Sequence, residues 1–139
     1  MPGLVLHTDT AEDGTCTFDK SKVAGGVKSV HNITYQDETQ LVNAIGTMGP
    51  VSIAYQVADD FRDYVSGVYT SDVCESQPED VNHAVLAVGY SKDDSEYGLP
   101  YYIVKNSWDT SFGMDGYFLI EMGKNMCGLS DCASFPIAW

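Results

Sequence analysis

Basic residues are scarce in this chain. Its 139 residues include 7 lysines and arginines against 20 aspartates and glutamates, and the formal net charge is −13 at pH 7. Proteins that bind nucleic acid neutralise phosphates with clustered lysine and arginine side chains. An anionic membrane surface likewise attracts basic segments and repels acidic ones. The composition therefore excludes nucleic acid and an anionic membrane surface as partners of this chain.

Long apolar runs and a leader are also missing. About 20 consecutive apolar residues are needed to cross a bilayer, whereas apolar runs here, such as residues 84–88 (AVLAV), have the length of a strand. The first six residues (MPGLVL) lack the basic start and the apolar core of a secretory signal. We therefore expect no membrane span and no export signal in this chain, so that any secretory address comes from elsewhere.

The length suits one globular domain. Residues 1–15 are rich in turn formers and show no hydrophobic period, so we expect an irregular segment followed by one domain over residues 16–139. A helix is predicted from Asp37 and ends at Gly49-Pro50. Its apolar stripe consists of Leu41, Val42, Ala44, Ile45 and Met48.

Strand-like segments lie on both sides of this helix. They cover residues 23–33, 51–57, 84–90, 101–105, 116–121 and 133–137. Residues 84–90 are apolar on both faces, as in a buried strand, and the last segment is predicted to be an edge strand broken at Pro136. One helix with five or six strands predicts an α+β domain built on an antiparallel sheet or open β-barrel.

Two polar residues stand at predicted strand ends. His83 lies where a polar loop meets the most apolar strand, which places an imidazole beside solvent in a position suited to a base. Asn106 ends another strand, two residues before Trp108. Taken singly, each has an ordinary explanation, since a lone histidine is usually a satisfied core or surface group, an asparagine often sits in a turn, and a tryptophan fills core volume.

Taken together, these residues belong to longer motifs. Residues 81–90 (VNHAVLAVGY) and 105–108 (KNSW), followed by FG at 112–113 and GY at 116–117, resemble the histidine and asparagine signatures of papain-like cysteine peptidases. Residues 123–129 (GKNMCGL) and 132–134 (CAS) are similar to the cathepsin H branch of that family. The resemblance runs from about Thr10 to Ile137 and implies the right-hand, C-terminal domain of the papain-like fold.

The resemblance also implies roles for individual residues. A cysteine thiolate attacks the peptide carbonyl, and His83 pairs with that thiolate and then protonates the leaving amine. Asn106 orients the imidazole, and Trp108 shields their hydrogen bond from water. Around the pocket for the second residue from the scissile bond, the resemblance places Ala54, Ala84 and Cys132. No cofactor is implied.

The nucleophile of this family lies in a Cys-Gly-x-Cys-Trp segment upstream of the histidine, and no such segment occurs in this sequence. We therefore expect the C-terminal half of a peptidase, inactive alone, whose partners are a peptide or protein substrate and an N-terminal domain. The full-length family member would be lysosomal, vacuolar or extracellular. Asp109 stands where the family usually has glycine, which keeps open the alternative of a truncated, non-catalytic homologue acting as a binding or regulatory module.

Four cysteines allow three full pairings that the sequence alone does not rank. The resemblance implies that Cys74 pairs with Cys127 and that Cys16 lacks its partner. It aligns Cys132 with the cysteine that holds a short propeptide-derived mini-chain. Zinc at Cys127 and Cys132 is disfavoured because no second close-spaced pair is present, so no metal is expected. Asn32 begins an Asn-Ile-Thr sequon and is a glycosylation candidate if the chain enters the secretory pathway.

Overall fold

A computed structural model of the chain describes residues 14–93 and 96–138. Within these residues it has one α-helix, α1 (Glu38–Thr47), and seven strands. The strands are β1 (Val27–Asn32), β2 (Val51–Tyr55), β3 (Val68–Tyr69), β4 (His83–Ser91), β5 (Tyr101–Lys105), β6 (Tyr117–Glu121) and β7 (Ser134–Ala138). Of the irregular segment predicted over residues 1–15, all but the last two residues lie outside the described part. The α+β class is confirmed.

Helix α1 begins where the sequence predicts it. The Asp37 carboxylate accepts a hydrogen bond from the Gln40 backbone N–H at 2.8 Å, which satisfies one of the free donors at the helix N-terminus. The buried residues of its stripe are Leu41, Val42, Ala44 and Ile45. Met48, the last residue of the predicted stripe, is 55% exposed because it lies at the C-cap, beyond the final turn that packs on the sheet.

The sheet is open and has the strand order β1-β7-β2-β4-β5-β6-β3. Adjacent strands are antiparallel except for β3 and β6, which run parallel, so the sheet is mixed. β3 has two residues, too few to show a period of two in the sequence. The single parallel pair was therefore beyond the reach of pattern analysis.

The C-terminal strand differs from its prediction. β7 lies between β1 and β2, and Pro136 is paired within it opposite Val30, so the prediction of an edge strand broken at this proline is wrong. On the other side β7 meets β2 only at Ser52 and Ser134. Most of the β7 edge that faces β2 therefore makes no backbone hydrogen-bond ladder. A proline, which lacks an N–H, is tolerated where no ladder hydrogen bond is required.

The two faces of the sheet have different environments. On β2, Val51, Ile53 and Tyr55 point into the core beneath α1, whereas Ser52 is exposed. β4 follows the same alternation, with Ala84 and Leu86 exposed, so it is not buried on both faces as predicted. Register places one row of residues side by side on the open face: Asn32, Ser134, Ser52, Leu86 and Lys105.

Cys74 and Cys127 form a disulfide, with their Cα atoms 5.2 Å apart. It joins the loop after β3 to the loop between β6 and β7, where Cys127 is almost fully buried. Cys16 and Cys132 are free and exposed. No helix among the described residues is both long and apolar enough to cross a membrane.

Candidate active site

His83 and Asn106 meet at one edge of the sheet. β4 begins at His83 and β5 ends at Lys105, and because these neighbours are antiparallel, the start of one lies beside the end of the other. The Nε2 atom of His83 is 2.9 Å from the Oδ1 atom of Asn106, within hydrogen-bond distance. Asn106 is only 9% exposed, so this bond lies in a poorly solvated position.

A second hydrogen bond determines which atoms donate. The backbone N–H of Ser107 donates to the same Oδ1 atom at 2.8 Å. Because a backbone N–H can only donate, the shared atom is the amide oxygen, and the Nε2 atom of His83 must carry the proton it shares with that oxygen. The amide nitrogen of Asn106 is buried and has no hydrogen-bond partner among the described residues.

Aromatic side chains surround the imidazole. The ring of Trp108 lies 5.1 Å from that of His83, centroid to centroid, at an interplanar angle of 30°. Phe112 holds the indole on another side at 5.0 Å in an edge-on contact, and Phe61 lies 5.8 Å from it. Trp108 remains 37% exposed, so it covers the histidine ring while part of the indole faces solvent.

The loop carrying Trp108 depends on left-handed backbone positions. Gly113 has φ 52°, and a Cβ atom there would lie 2.6 Å from the carbonyl oxygen of Tyr117, so only glycine fits. Asp109 has φ 71°, which gives a physical reason for the glycine usual at this position. Aspartate tolerates this conformation better than most residues, and its carboxylate also accepts a hydrogen bond from the Thr110 backbone N–H at 2.6 Å.

The second ring nitrogen of His83, Nδ1, has no hydrogen-bond partner in the described part of the chain. His83 borders a cavity of about 210 Å³ together with Val57, Arg62, Asn82 and Trp108. The loop bearing His83 is anchored there, because the Asn82 side-chain oxygen accepts from the Val57 backbone N–H at 2.8 Å. The imidazole is thus held at Nε2, while Nδ1 makes no hydrogen bond among the described residues, an arrangement that suits a group that transfers protons.

Tyr55 lies beneath the imidazole and was not identified by sequence reasoning. It is the cross-strand partner of His83, and their rings are 5.8 Å apart. Burial, with a smaller contribution from Tyr69, raises the pKa of the Tyr55 hydroxyl far above its usual range, so the group stays protonated. This hydroxyl is buried without a hydrogen-bond partner among the described residues. A buried donor without an acceptor destabilises the fold.

We expect Tyr55→Phe to raise the free energy of unfolding by about 1 kcal/mol, because it removes an unsatisfied buried hydroxyl and leaves the ring in place. Tyr102→Phe is the matched control. Both tyrosines are fully buried, but the Tyr102 hydroxyl donates to Glu38 at 2.9 Å, so its loss should cost about 1–2 kcal/mol. Urea unfolding of the three proteins measures the difference. A loss of stability in Tyr55→Phe as large as that in the control would contradict the unsatisfied hydroxyl.

The three predicted pocket residues, Ala54, Ala84 and Cys132, do not all border the same cavity. Ala54 and Ala84 are directly opposite each other on β2 and β4. Ala84 borders a shallow cavity of about 350 Å³ that also includes Leu86 and Asn106. Cys132 borders a different cavity, at the far side of the open face. Arg62 also lines the cavity of His83, and sequence reasoning missed it because no motif marks it.

No group of three or more histidine, cysteine, aspartate or glutamate side chains suited to a metal ion occurs in residues 14–93 and 96–138. Asn32 lies at the end of β1 and is exposed. The structure thus joins His83, Asn106 and Trp108 into one cluster and leaves Asn32 and Cys132 apart from it.

Comparison with known proteins gives a consistent result. Residues 6–137 match the family described as papain family cysteine protease. The chain is 55% identical over 126 residues to pro-cathepsin H of Bos taurus, which covers 91% of this chain and 37% of that protein. It is 52% identical over 128 residues to the thiol protease aleurain of Arabidopsis thaliana, covering 92% and 35% respectively.

Solved structures agree with the sequence relatives. The digestive procathepsin L2 proteinase from the larval midgut of Tenebrio molitor superposes with a TM-score of 0.81 at 38% identity, covering 90% of this chain and 38% of that one. Procathepsin L 3 from the same source gives a TM-score of 0.82 at 34% identity, covering 91% and 40%. The chain therefore spans little more than a third of the length of the proteins it resembles.

Proposed function

Because the chain belongs to the papain family of cysteine proteases, we propose that it supplies His83 and Asn106 to a Cys-His-Asn peptidase site. The observation that supports this most directly is the 2.9 Å contact between His83 Nε2 and Asn106 Oδ1. It holds the imidazole by one nitrogen and leaves the other free. A base held by a third group and open to a nucleophile is the general arrangement of nucleophilic catalysis.

In this proposal the free Nδ1 atom of His83 forms an ion pair with a cysteine thiolate. The thiolate attacks the peptide carbonyl, and the Nδ1 proton passes to the leaving amine. Asn106 keeps the ring oriented through both steps by accepting from Nε2. Trp108 covers the imidazole and limits the access of water to that hydrogen bond, which strengthens it.

The nucleophile is proposed to come from a part of the protein outside this sequence. Cys74 and Cys127 are joined in a disulfide, and Cys132 borders a cavity that does not include His83. Cys16 is exposed in the segment before β1 and lacks the sequence context of the family nucleophile. This chain alone is therefore expected to be inactive. Residues 16–139 form the C-terminal domain in this interpretation, and an N-terminal domain is the partner.

The finer assignment rests on the relatives. Their names include pro-cathepsin H and aleurain, and with the GKNMCGL and CAS motifs they support a cathepsin H-like aminopeptidase acting on peptides or proteins. Ala54 and Ala84 are proposed as pocket residues, and Cys132 as the attachment point of a mini-chain. From the same relatives we propose that the complete protein is lysosomal, vacuolar or extracellular.

The tautomer of His83 tests the site in this chain alone. We expect neutral His83 to carry its proton on Nε2, because Asn106 Oδ1 can only accept. Long-range ¹H–¹⁵N correlation spectra distinguish the two ring nitrogens directly. In Asn106→Leu this preference should be lost, whereas Ser134→Ala, remote on the open face, should leave it unchanged. Neutral His83 protonated mainly on Nδ1 would be incompatible with the proposed role.

A non-catalytic binding or regulatory module is the second candidate. The observation in its favour is Asp109, which places an exposed carboxylate directly after Trp108 on a left-handed backbone position. Peptide hydrolysis by this chain once it is joined to a cysteine-bearing N-terminal domain would separate the two functions.

A further inference from the structure

Arg62 is the single arginine in the sequence, and the catalytic roles proposed above do not use it. It borders the cavity of about 210 Å³ that His83 and Trp108 also line. The rest of the lining consists of Val57 and Asn82, so no carboxylate among the described residues borders this cavity. The proposed proton donor therefore shares its cavity with a cation.

The residue before Arg62 holds its backbone in place. Phe61 is fully buried, with its ring 4.9 Å from that of Phe118 and 5.8 Å from that of Trp108. The Phe61 N–H also donates to the Ala58 carbonyl at 3.1 Å and closes a short 3-10 turn. This turn is packed against the same indole that covers the imidazole. The guanidinium is thus carried by a long side chain on a fixed base beside the site.

The contact that competes for this guanidinium is weak. Asp59 Oδ1 lies 3.8 Å from the Nε atom of Arg62, whose side chain is 70% exposed, and the Asp59 side chain is fully exposed. Exposed ion pairs contribute little because water screens them and both side chains lose freedom. A guanidinium carries several N–H donors in a planar fork. A contact at Nε therefore leaves donors for a carboxylate from another molecule.

The proposed proton transfer determines which part of a substrate Arg62 meets. The leaving nitrogen must come within hydrogen-bond distance of His83 Nδ1 to accept its proton. That nitrogen belongs to the residue that follows the scissile bond, so this residue lies against His83, in the cavity that Arg62 borders. Asp63 lines a second cavity that Arg62 also borders, and it does not line that of His83. The first residue after the scissile bond therefore meets the guanidinium.

We propose that Arg62 selects peptides with a carboxylate on the residue that follows the scissile bond, as an acidic side chain or as a free C-terminus at that residue. The inference rests on the proposed function for the placement of the substrate. A carboxylate accepts a bidentate pair of hydrogen bonds from a guanidinium. The net charge of −13 repels anionic peptides at long range, but charges more than about 8 Å apart are largely screened at physiological ionic strength. The contact with Arg62 therefore decides the preference.

Peptide binding to this chain tests the contact without catalysis. Short amidated peptides that begin with glutamate represent the leaving fragment, and the same peptides beginning with glutamine are uncharged isosteres. Because the sequence has one arginine, its Nε–H gives one ¹H–¹⁵N resonance that reports directly on Arg62. We expect the glutamate peptide to shift this resonance and to bind about three- to fivefold more tightly than the glutamine peptide. High salt should reduce the difference.

Hydrolysis tests the same preference in a fusion of this chain with a cysteine-bearing N-terminal domain. Substrates with glutamate after the scissile bond should have a kcat/KM about three- to fivefold higher than those with glutamine. A second pair of substrates, which end at that residue as the free acid or the amide, distinguishes a C-terminal carboxylate from a side chain. Arg62→Met should abolish the preference and leave hydrolysis of the uncharged substrates nearly unchanged. Arg62→Lys should keep part of it, because an ammonium retains the charge and lacks the fork.

Two further variants are the controls. Lys28→Met also removes one positive charge, from an exposed position on β1 that β7 and β2 separate from β4, and should leave the preference unchanged. Asp59→Asn should increase it by freeing the guanidinium. Equal binding of the glutamate and glutamine peptides, or a preference that survives Arg62→Met, would overturn the proposal. An inactive fusion would count against the peptidase assignment alone, since the Arg62 resonance is read without catalysis.

Discussion

Fusing this chain to the cysteine-bearing N-terminal part of a relative such as pro-cathepsin H should yield thiol-dependent peptide hydrolysis, whereas this chain alone should yield none. His83 and Asn106 provide a base and its orienting group, but without a thiolate there is nothing for the base to activate. In the active fusion, His83→Ala should lower kcat/KM by about 10⁴-fold, in line with losses from catalytic triads. Asn106→Ala should lower it by about 10²-fold, since the imidazole remains but is no longer held.

Fluorogenic aminopeptidase and endopeptidase substrates under reducing, mildly acidic conditions provide the measurement. Asn32→Gln in the fusion is the matched control, because it changes an exposed amide remote from His83 and should leave kcat/KM unchanged. Near-ultraviolet circular dichroism shows whether the fusion is folded. Turnover by this chain alone that a thiol alkylator abolishes would refute the need for a second part. A folded but inactive fusion would favour the non-catalytic module. Asp109→Gly would then be the first substitution to test for recovery of activity.

Removing the disulfide should have the largest effect on stability. The bond joins residues 53 positions apart, and constraining an unfolded chain over a loop of that length contributes about 4 kcal/mol in the chain-entropy description. We expect the double variant Cys74→Ser with Cys127→Ser to lose about that much, and slightly more because Cys127 is buried and a serine hydroxyl there needs a partner.

Urea unfolding under oxidising conditions compares this variant with Cys16→Ser, an exposed free cysteine whose replacement should change the free energy of unfolding by less than about 0.5 kcal/mol. Reducing the unchanged protein should reproduce most of the loss seen in the double variant and leave the double variant itself unaffected. Peptide mapping without reduction identifies the pair. A bond between Cys16 and Cys74, or equal stability of all the proteins, would contradict this assignment.

Family, helix and most strands were accessible from the sequence because they depend on neighbours along the chain. The N-cap at Asp37, the apolar stripe of α1 and the end of the helix before Gly49 are all determined by residues close together in the sequence. The meeting of His83 and Asn106 was nearly as local, since β4 and β5 are consecutive strands joined by a short connection, and antiparallel neighbours bring such ends together. The motifs around both residues carried the family assignment in the same way.

Pairings between distant segments were decided only by the tertiary structure. The sequence did not show that β1 pairs along the last strand, nor that β4 contains an irregularity between Ala87 and Gly89 where its register with β5 shifts by one residue. It likewise gave no sign that the Tyr55 hydroxyl is buried without an acceptor, because tyrosine in a strand usually finds one.

The sequence by itself determined what depends on local order: the α+β class, the cap and end of α1, and the motifs that identify the papain family. The tertiary structure decided what depends on contacts between remote segments. These are the position of β7 inside the sheet, the parallel contact of β3 with β6, the exposed face of β4, and the shared cavity of Asn32 and Cys132. The physical reason is that hydrophobic periods and caps are set by adjacent residues, whereas the choice of strand partner depends on the free energy of the whole packed sheet.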